Sequence, residues 1–306
     1  KPITAACAAA LIQDSRLSFD DRIGVLLGPL VAKHGPVSDK RFHRITVRHL
    51  IEHRSGFPRS AGGNRFSPGR VEALRSSITE AASVEQLLPA IFRLRLARDP
   101  GVTYEYSNIG YLLLGQIIEL VAGKPYAETC GARVLTKAGI TAPGLGRPWG
   151  GLLHASAGWA LSGPEYLAFA RLLSPRRTTV LKPAMHEWMR RVDDRWIDDG
   201  LRTAYTLGVM LRVAPPDPPY VFHGGGWVWR QDDARSGPIH EYQWTWFVLA
   251  ADGTSWFVSF SGKAGENERR ILDDLDRALW QARRSVSAWP GHDLFPALGI
   301  GPPAGQ

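Results

Sequence analysis

Tyr104-Glu105-Tyr106-Ser107-Asn108-Ile109-Gly110-Tyr111-Leu112-Leu113-Leu114-Gly115 is the stretch from which the rest of the chain is best read. From there Ile109, Leu112, Leu113, Gln116, Ile117 and Leu120 recur with helical spacing, Ser107 stands at an N-cap position, and Gly123 can close the far end. The spacing predicts a helix over residues 107–121 that begins directly after Tyr106. A tyrosine just ahead of a helix cap has a fixed backbone, and its hydroxyl can project into a cleft. Beside a cation, such a hydroxyl can act as general base towards a serine. Asn108 can hydrogen-bond both a lysine and a substrate amide. Taken alone, the stretch reads more simply as a serine cap beside an aromatic packing residue.

Working outward, two more clusters could carry chemistry. Lys1-Pro2-Ile3-Thr4-Ala5-Ala6 opens a segment that is apolar at almost every position to Ile12, which predicts a buried helix over 3–12. It matches the end of a Ser-x-x-Lys motif whose serine lies three residues upstream, outside this sequence. A serine there would share the helix face of Lys1 and sit near the positive end of the helix dipole. Downstream, His223-Gly224-Gly225-Gly226 follows a predicted strand over 220–223. Glycines in a strand suggest close backbone approach, here of a ligand along a sheet edge. His223 can supply a proton or partial positive charge, and a following backbone N–H can complete an oxyanion hole. The plainer readings are an exposed lysine and a glycine turn.

The rest of the chain sets bounds. In 306 residues, 44% are hydrophobic and 22% charged, as in an ordinary globular protein of one large domain or two intimate ones. The net charge of +8 sits in scattered pairs such as Arg176-Arg177 and Arg283-Arg284, with no long basic run, so no nucleic-acid partner is expected. No apolar stretch reaches membrane-spanning length. Cys7 and Cys130 give neither a disulfide framework nor a metal spacing, and Cys7 reads as core packing.

Helices are predicted over 46–53 with Thr46 as cap, 80–97, 163–173, 183–192 and 267–284. Strands are predicted over 205–213, 220–223, 242–250 and 255–261, with a hairpin turn at 251–254. Residues 59–70 read as a loop that could rim a site, and Asp232 to Arg235 as a solvated loop. Helices come first, then an antiparallel meander, then a closing helix, which is an α+β order. The division this predicts is an α/β part of residues 1–20 and 203–288, a mainly helical part of 21–202, and a Gly/Pro-rich tail of 289–306.

Together the clusters are specific. Lys1–Ala6, Ile45–Pro58, Pro100-Gly101 with Tyr104–Gly115, and His223-Gly224-Gly225 resemble, in order and spacing, the serine β-lactamase-like family of class C β-lactamases, DD-peptidases and related esterases. The resemblance covers residues 1–285 and implies an antiparallel sheet flanked by helices, plus a helical subdomain. It places Lys1 and Tyr106 as catalytic groups, with Asn108, His223, Gly225 and Gly226 binding substrate. It implies acyl transfer through a serine to a small ester, amide or peptide, with the oxyanion held by the serine N–H and that of Gly226, and no metal or cofactor. Family members also carry an N-terminal helix and two strands before this point. Their absence here, with that of the serine, reads as a fragment: inactive, poorly stable, and with an unpaired edge at 255–261.

A second departure concerns substrate. Family enzymes that bind a carboxylate usually place a hydroxyl where Gly224 stands, so this chain reads as an esterase or amide hydrolase more than a β-lactamase. Arg230 or an arginine of the 59–70 loop could still contact an anion. Trp227, Trp229, Trp244, Trp246 and Trp256 read first as packing under the closing helix, and second as an aromatic wall near Gly226. The competing class is a non-catalytic binding protein on the same scaffold, recognising peptidoglycan or a lipid-like ligand.

Overall fold

The computed structural model describes residues 1–58, 83–146, 150–177, 179–192, 196–198, 202–213, 219–233, 237–263, 268–289, 291–292 and 296–298, with the backbone alone at 150–152, 196, 198, 263, 268–269, 298 and within 227–242. The 59–70 loop and the side chains of Trp227, Trp229 and Arg230 therefore lie outside the described residues, as do those of Asp232 to Arg235.

Helix α1 (Pro2–Gln13) opens with proline at its first position, where the missing N–H costs no intrahelical bond. It is buried from Pro2 to Leu11 on all sides, as its unbroken apolar sequence requires. Short helices α2 (Ile23–Leu26), α3 (Gly28–His34) and α4 (Val47–Ile51) follow. Thr46 caps α4, its hydroxyl accepting the His49 N–H while the His49 ring accepts the Thr46 N–H. The helix expected over 80–97 is shorter. Beyond residues 80–82, which lie outside the description, a 3₁₀ turn (Val84–Leu87) leads into α5 (Leu88–Phe92). The chain then leaves helical geometry, and the Asp39 carboxylate takes the Leu96 N–H at 3.0 Å.

Helix α6 (Asn108–Ala122) runs through the core and closes on Gly123 in the left-handed conformation, φ 68°. Ser107 stands at its N-cap but makes no side-chain capping bond. Helices α7 (Tyr126–Cys130), α8 (Gly150–Ala157), α9 (Gly163–Arg171) and α10 (Pro183–Arg190) complete the helical part. The two-residue strands β1 (Gly144–Leu145) and β2 (Trp159–Ala160) pair around α8. Cys7 of α1 and Cys130 of α7 form a disulfide, with Cα atoms 5.3 Å apart and both residues fully buried. The sequence expectation of no bridge is thus corrected. A separation of 123 residues gave no local cue, and the helix packing brings the pair together.

The sheet is antiparallel in the order β3 (Trp196–Asp198), β4 (Thr203–Tyr205), β5 (Met210–Arg212), β6 (Tyr220–Asp233), β7 (Gly237–Ala250), β8 (Ser255–Lys263). The strand expected over 205–213 is a hairpin instead. Gly208, at φ +70°, breaks the run, and Thr206 and Val209 close the turn. Strand β6 runs ten residues beyond the expected end at His223, straight through the glycines.

Tyr220, Phe222, Trp246, Val248 and Trp256 share one sheet face with Trp280 of α11 (Glu268–Ser285). The opposite face carries Phe247 and Phe257 against Tyr166 of α9, at ring separations of 5.2 and 5.1 Å. Among the described residues β8 ends the strand order.

Candidate active site

The site forms where the start of α1, the turn after α4, the start of α6 and the middle of β6 meet. The turn is built from His53-Arg54-Ser55-Gly56, with His53 at φ 54° and Gly56 at φ 83°. A β-carbon on Gly56 would lie 2.2 Å from the Arg98 carbonyl oxygen, so only glycine fits that approach. Main-chain bonds stitch this turn to the segment before α6: Ala97 N–H to Gly56 O (2.8 Å), Gly101 N–H to Arg54 O (2.8 Å), and Glu105 N–H to His53 O (2.7 Å). The stitched loop delivers Tyr106.

The Lys1 ammonium lies 4.9 Å from the centre of the Tyr106 ring and 5.8 Å from that of Tyr111. Its Nζ donates to the Ser156 carbonyl at the end of α8, at 2.9 Å. The Tyr106 hydroxyl donates to Asn108 Oδ1 at 3.2 Å. One turn along α1, Thr4 anchors the same junction through a relay. Trp159 Nε1 donates to the Tyr126 hydroxyl (2.8 Å), which pairs with the Thr4 hydroxyl (2.6 Å), which donates to the Ala155 carbonyl (2.6 Å). Thr4 and Lys1 therefore grip adjacent carbonyls of α8.

His223 lies on β6 within reach of the Lys1 field. Burial pushes its imidazole pKa well below the ordinary value, and the Lys1 side chain and the nearby His53 push the same way. Burial likewise depresses His53, helped by Lys1. Both shifts favour the neutral imidazole. Strand β5 pairs only with Tyr220–Phe222 of β6, so from His223 onward that side of β6 has no strand partner among the described residues. Backbone groups of the glycine run are thus presented at an edge.

The structure brings Lys1, Tyr106 and Asn108 together and sets His223 beside them. Gly225 shares the His223 face, where a β-carbon would come 3.3 Å from the Thr245 hydroxyl oxygen. Gly224 and Gly226 serve the other face. Their absent β-carbons make room for the rings of Trp246 and Trp244: a β-carbon at Gly224 would lie 2.7 Å from the Trp246 ring and one at Gly226 2.8 Å from that of Trp244. The close approach expected of a ligand is, at these two positions, made by tryptophans on the α11 side. Trp244 and Trp246 therefore lie across the sheet from His223.

Sequence reasoning missed His53, Ser156 and the Thr4–Tyr126–Trp159 relay. Thr4 carried a signal, as a polar residue in an apolar helix. His53 carried a weaker one, a histidine opening a glycine turn. Ser156 acts through its carbonyl and carried none. Among the described residues no group of three or more His, Cys, Asp or Glu is placed to hold a metal, and no helix is long and apolar enough to cross a membrane.

Comparison with known proteins agrees with this geometry. A D-stereospecific amidohydrolase from Streptomyces sp. superimposes with a TM-score of 0.61 at 20% identity, covering 84% of this chain and 78% of that one. A penicillin-binding protein from Bacillus halodurans gives a TM-score of 0.64 at 17% identity, over 90% and 83%. At these identities the likeness is one of fold. A relative described as fimbrial assembly protein FimD, serogroup D, of Dichelobacter nodosus is 30% identical over 126 residues, 41% of this chain. The matched stretch spans 28% of that relative's length. The family model described as Beta-lactamase matches residues 1–277, from the lysine of α1 into the closing helix, and so this chain belongs to the Beta-lactamase family, with the hydrolase fold that family shares.

Proposed function

We propose that this chain is the catalytic body of a serine hydrolase working by acyl transfer on a small ester or amide. The observation that carries this reading is the placement of the Lys1 ammonium over the Tyr106 ring, with the Tyr106 hydroxyl held by Asn108. A serine three positions before Lys1 would share its helix face. The Lys1/Tyr106 pair takes the serine proton as the hydroxyl attacks the carbonyl, Tyr106 returns a proton to the leaving group, and water then hydrolyses the acyl-serine bond and frees the serine. The oxyanion is received by the serine N–H and by that of Gly226 on β6, on the side that has no strand partner among the described residues. Neutral His223 donates a hydrogen bond rather than a second positive charge. With glycine at 224 and no hydroxyl there for a carboxylate, esters and uncharged amides suit the site better than β-lactams.

The test is turnover of a short-chain nitrophenyl ester and of nitrocefin. The sequence as it stands is expected to be inactive on both. The same sequence preceded by Ser-x-x is expected to cleave the ester, and faster than nitrocefin. Ester turnover by the unextended chain that disappears with Tyr106→Phe overturns the serine assignment, and faster nitrocefin cleavage overturns the substrate preference. Saturable ligand binding without turnover in the extended chain favours a binding protein on this scaffold.

A further inference from the structure

Resting on that reading, we propose that His53 is the positioning residue for Tyr106. His53 is fully buried and follows α4 with φ 54°, in the left-handed region that few residues other than glycine adopt and in which Asn, Asp and His are the commonest exceptions. A residue held there persists only because its surroundings fix it. Those surroundings bracket one residue. The His53 carbonyl accepts the Glu105 N–H at 2.7 Å. Its Nδ1 accepts the Ser107 N–H at 3.2 Å. The residue between them is Tyr106, and the His53 ring packs on the Tyr106 ring with centroids 4.6 Å apart. Tyr205, at 4.6 Å, and Tyr111, at 5.1 Å, pack against the same imidazole.

The hydrogen bond fixes the tautomer. An accepting Nδ1 has no proton, so the neutral ring carries its proton on Nε2. Ser107 then gains a second meaning. It occupies the cap position of α6, yet it spends its N–H on His53, outside the helix. The start of α6 is thereby tied to the turn after α4, and the Tyr106 ring is held beneath Lys1. A displacement of about 1 Å in a reacting group can cost on the order of a hundredfold in rate, so this tether bears on catalysis without touching substrate.

Two substitutions isolate the effect from backbone strain, because both residues accept a positive φ: His53→Asn, whose Oδ1 can stand in for Nδ1, and His53→Gly, which removes acceptor and ring. In the chain as it exists, amide exchange of Ser107 is expected to be about tenfold faster or more in His53→Gly, measured against core amides of α6, and close to the unsubstituted rate in His53→Asn. Unchanged Ser107 exchange in a folded His53→Gly protein overturns the proposal. Should that variant not fold, ¹⁵N spectra of the unsubstituted protein decide: a proton on His53 Nδ1 overturns it, and a proton on Nε2 supports it. In the serine-bearing chain, His53→Gly is expected to lower ester kcat by about 10- to 100-fold with KM within about twofold, and His53→Asn to recover most of it. Equal losses in both variants, or a loss confined to KM, overturn the positioning role. No hydrolysis by the parent sinks the hydrolase reading and leaves the exchange result standing.

Discussion

Gly208 and Ala5 meet across the junction of α1 with the sheet: a β-carbon on Gly208 would lie 2.8 Å from that of Ala5 and 2.9 Å from the Lys1 carbonyl oxygen. Gly208 also needs its φ of +70° to turn the β4–β5 hairpin. Gly208→Ala therefore combines a disfavoured backbone with an overpacked contact, and is expected to destabilise by about 2–4 kcal/mol. Urea unfolding checks this. Because the collision falls on Lys1 and Pro2, hydrolysis by the serine-bearing chain should fall further than stability alone explains at temperatures where the variant is folded.

The Cys7–Cys130 bridge closes a loop of 123 residues, for which the chain-entropy relation gives about 5 kcal/mol as an upper figure. The double Cys→Ala variant is expected to lose about 3–5 kcal/mol in denaturant unfolding, and reduction to do the same. The non-reduced, denatured protein should show no free thiol, and the reduced one two. Two free thiols before reduction would disprove the bridge.

Acid should weaken the protein in a defined window. Burial pushes the His154 imidazole down to about 4 from an ordinary 6.5. The folded state thus holds its proton less tightly than the unfolded chain, and stability rises with pH across the interval. Full stability is expected above about pH 6.5, with loss as pH falls towards about 4 and a plateau below, on the order of 3 kcal/mol for this group. His53 and His223, depressed by burial as well, act in the same direction. Thermal melts from pH 4 to 8 follow it, and His154→Leu should shrink the slope. A flat profile in the parent would show that these imidazoles titrate normally in the folded state.

Tyr106→Phe keeps the ring under the Lys1 ammonium and deletes the hydroxyl bonded to Asn108. In the serine-bearing chain it is expected to lower kcat by about 10²- to 10⁴-fold with little change in melting temperature. Lys1→Met should match it in direction. A Tyr106→Phe enzyme within about threefold of its parent would assign the base elsewhere.

Much of this architecture could be read from local pattern. The order of helices, meander and closing helix follows from periodicity. Tyr106, Asn108 and Lys1 fall together because their motifs do. The segments Ile45–Pro58 and Pro100–Gly115, which carry much of the resemblance, are laced into one physical unit by the bonds at His53 and Arg54. What escaped was non-local or carried by the main chain. The disulfide joins distant helices. The missing β-carbons of Gly224 and Gly226 leave room for Trp246 and Trp244, 22 and 18 positions on in β7, a pairing that no local pattern marks. The β4–β5 hairpin turned on one glycine inside an apolar run, where period alone does not mark a reversal.

The lysine contact with the Ser156 carbonyl has a consequence for how such a site can drift. Every residue offers a carbonyl, so the ammonium contact does not depend on which side chain stands at position 156, provided α8 ends where it does. The durability of that contact belongs to a helix terminus and not to a letter. Substitutions that shift the end of α8, at Thr4 or Tyr126 for example, can therefore displace Lys1 while every motif residue remains in place.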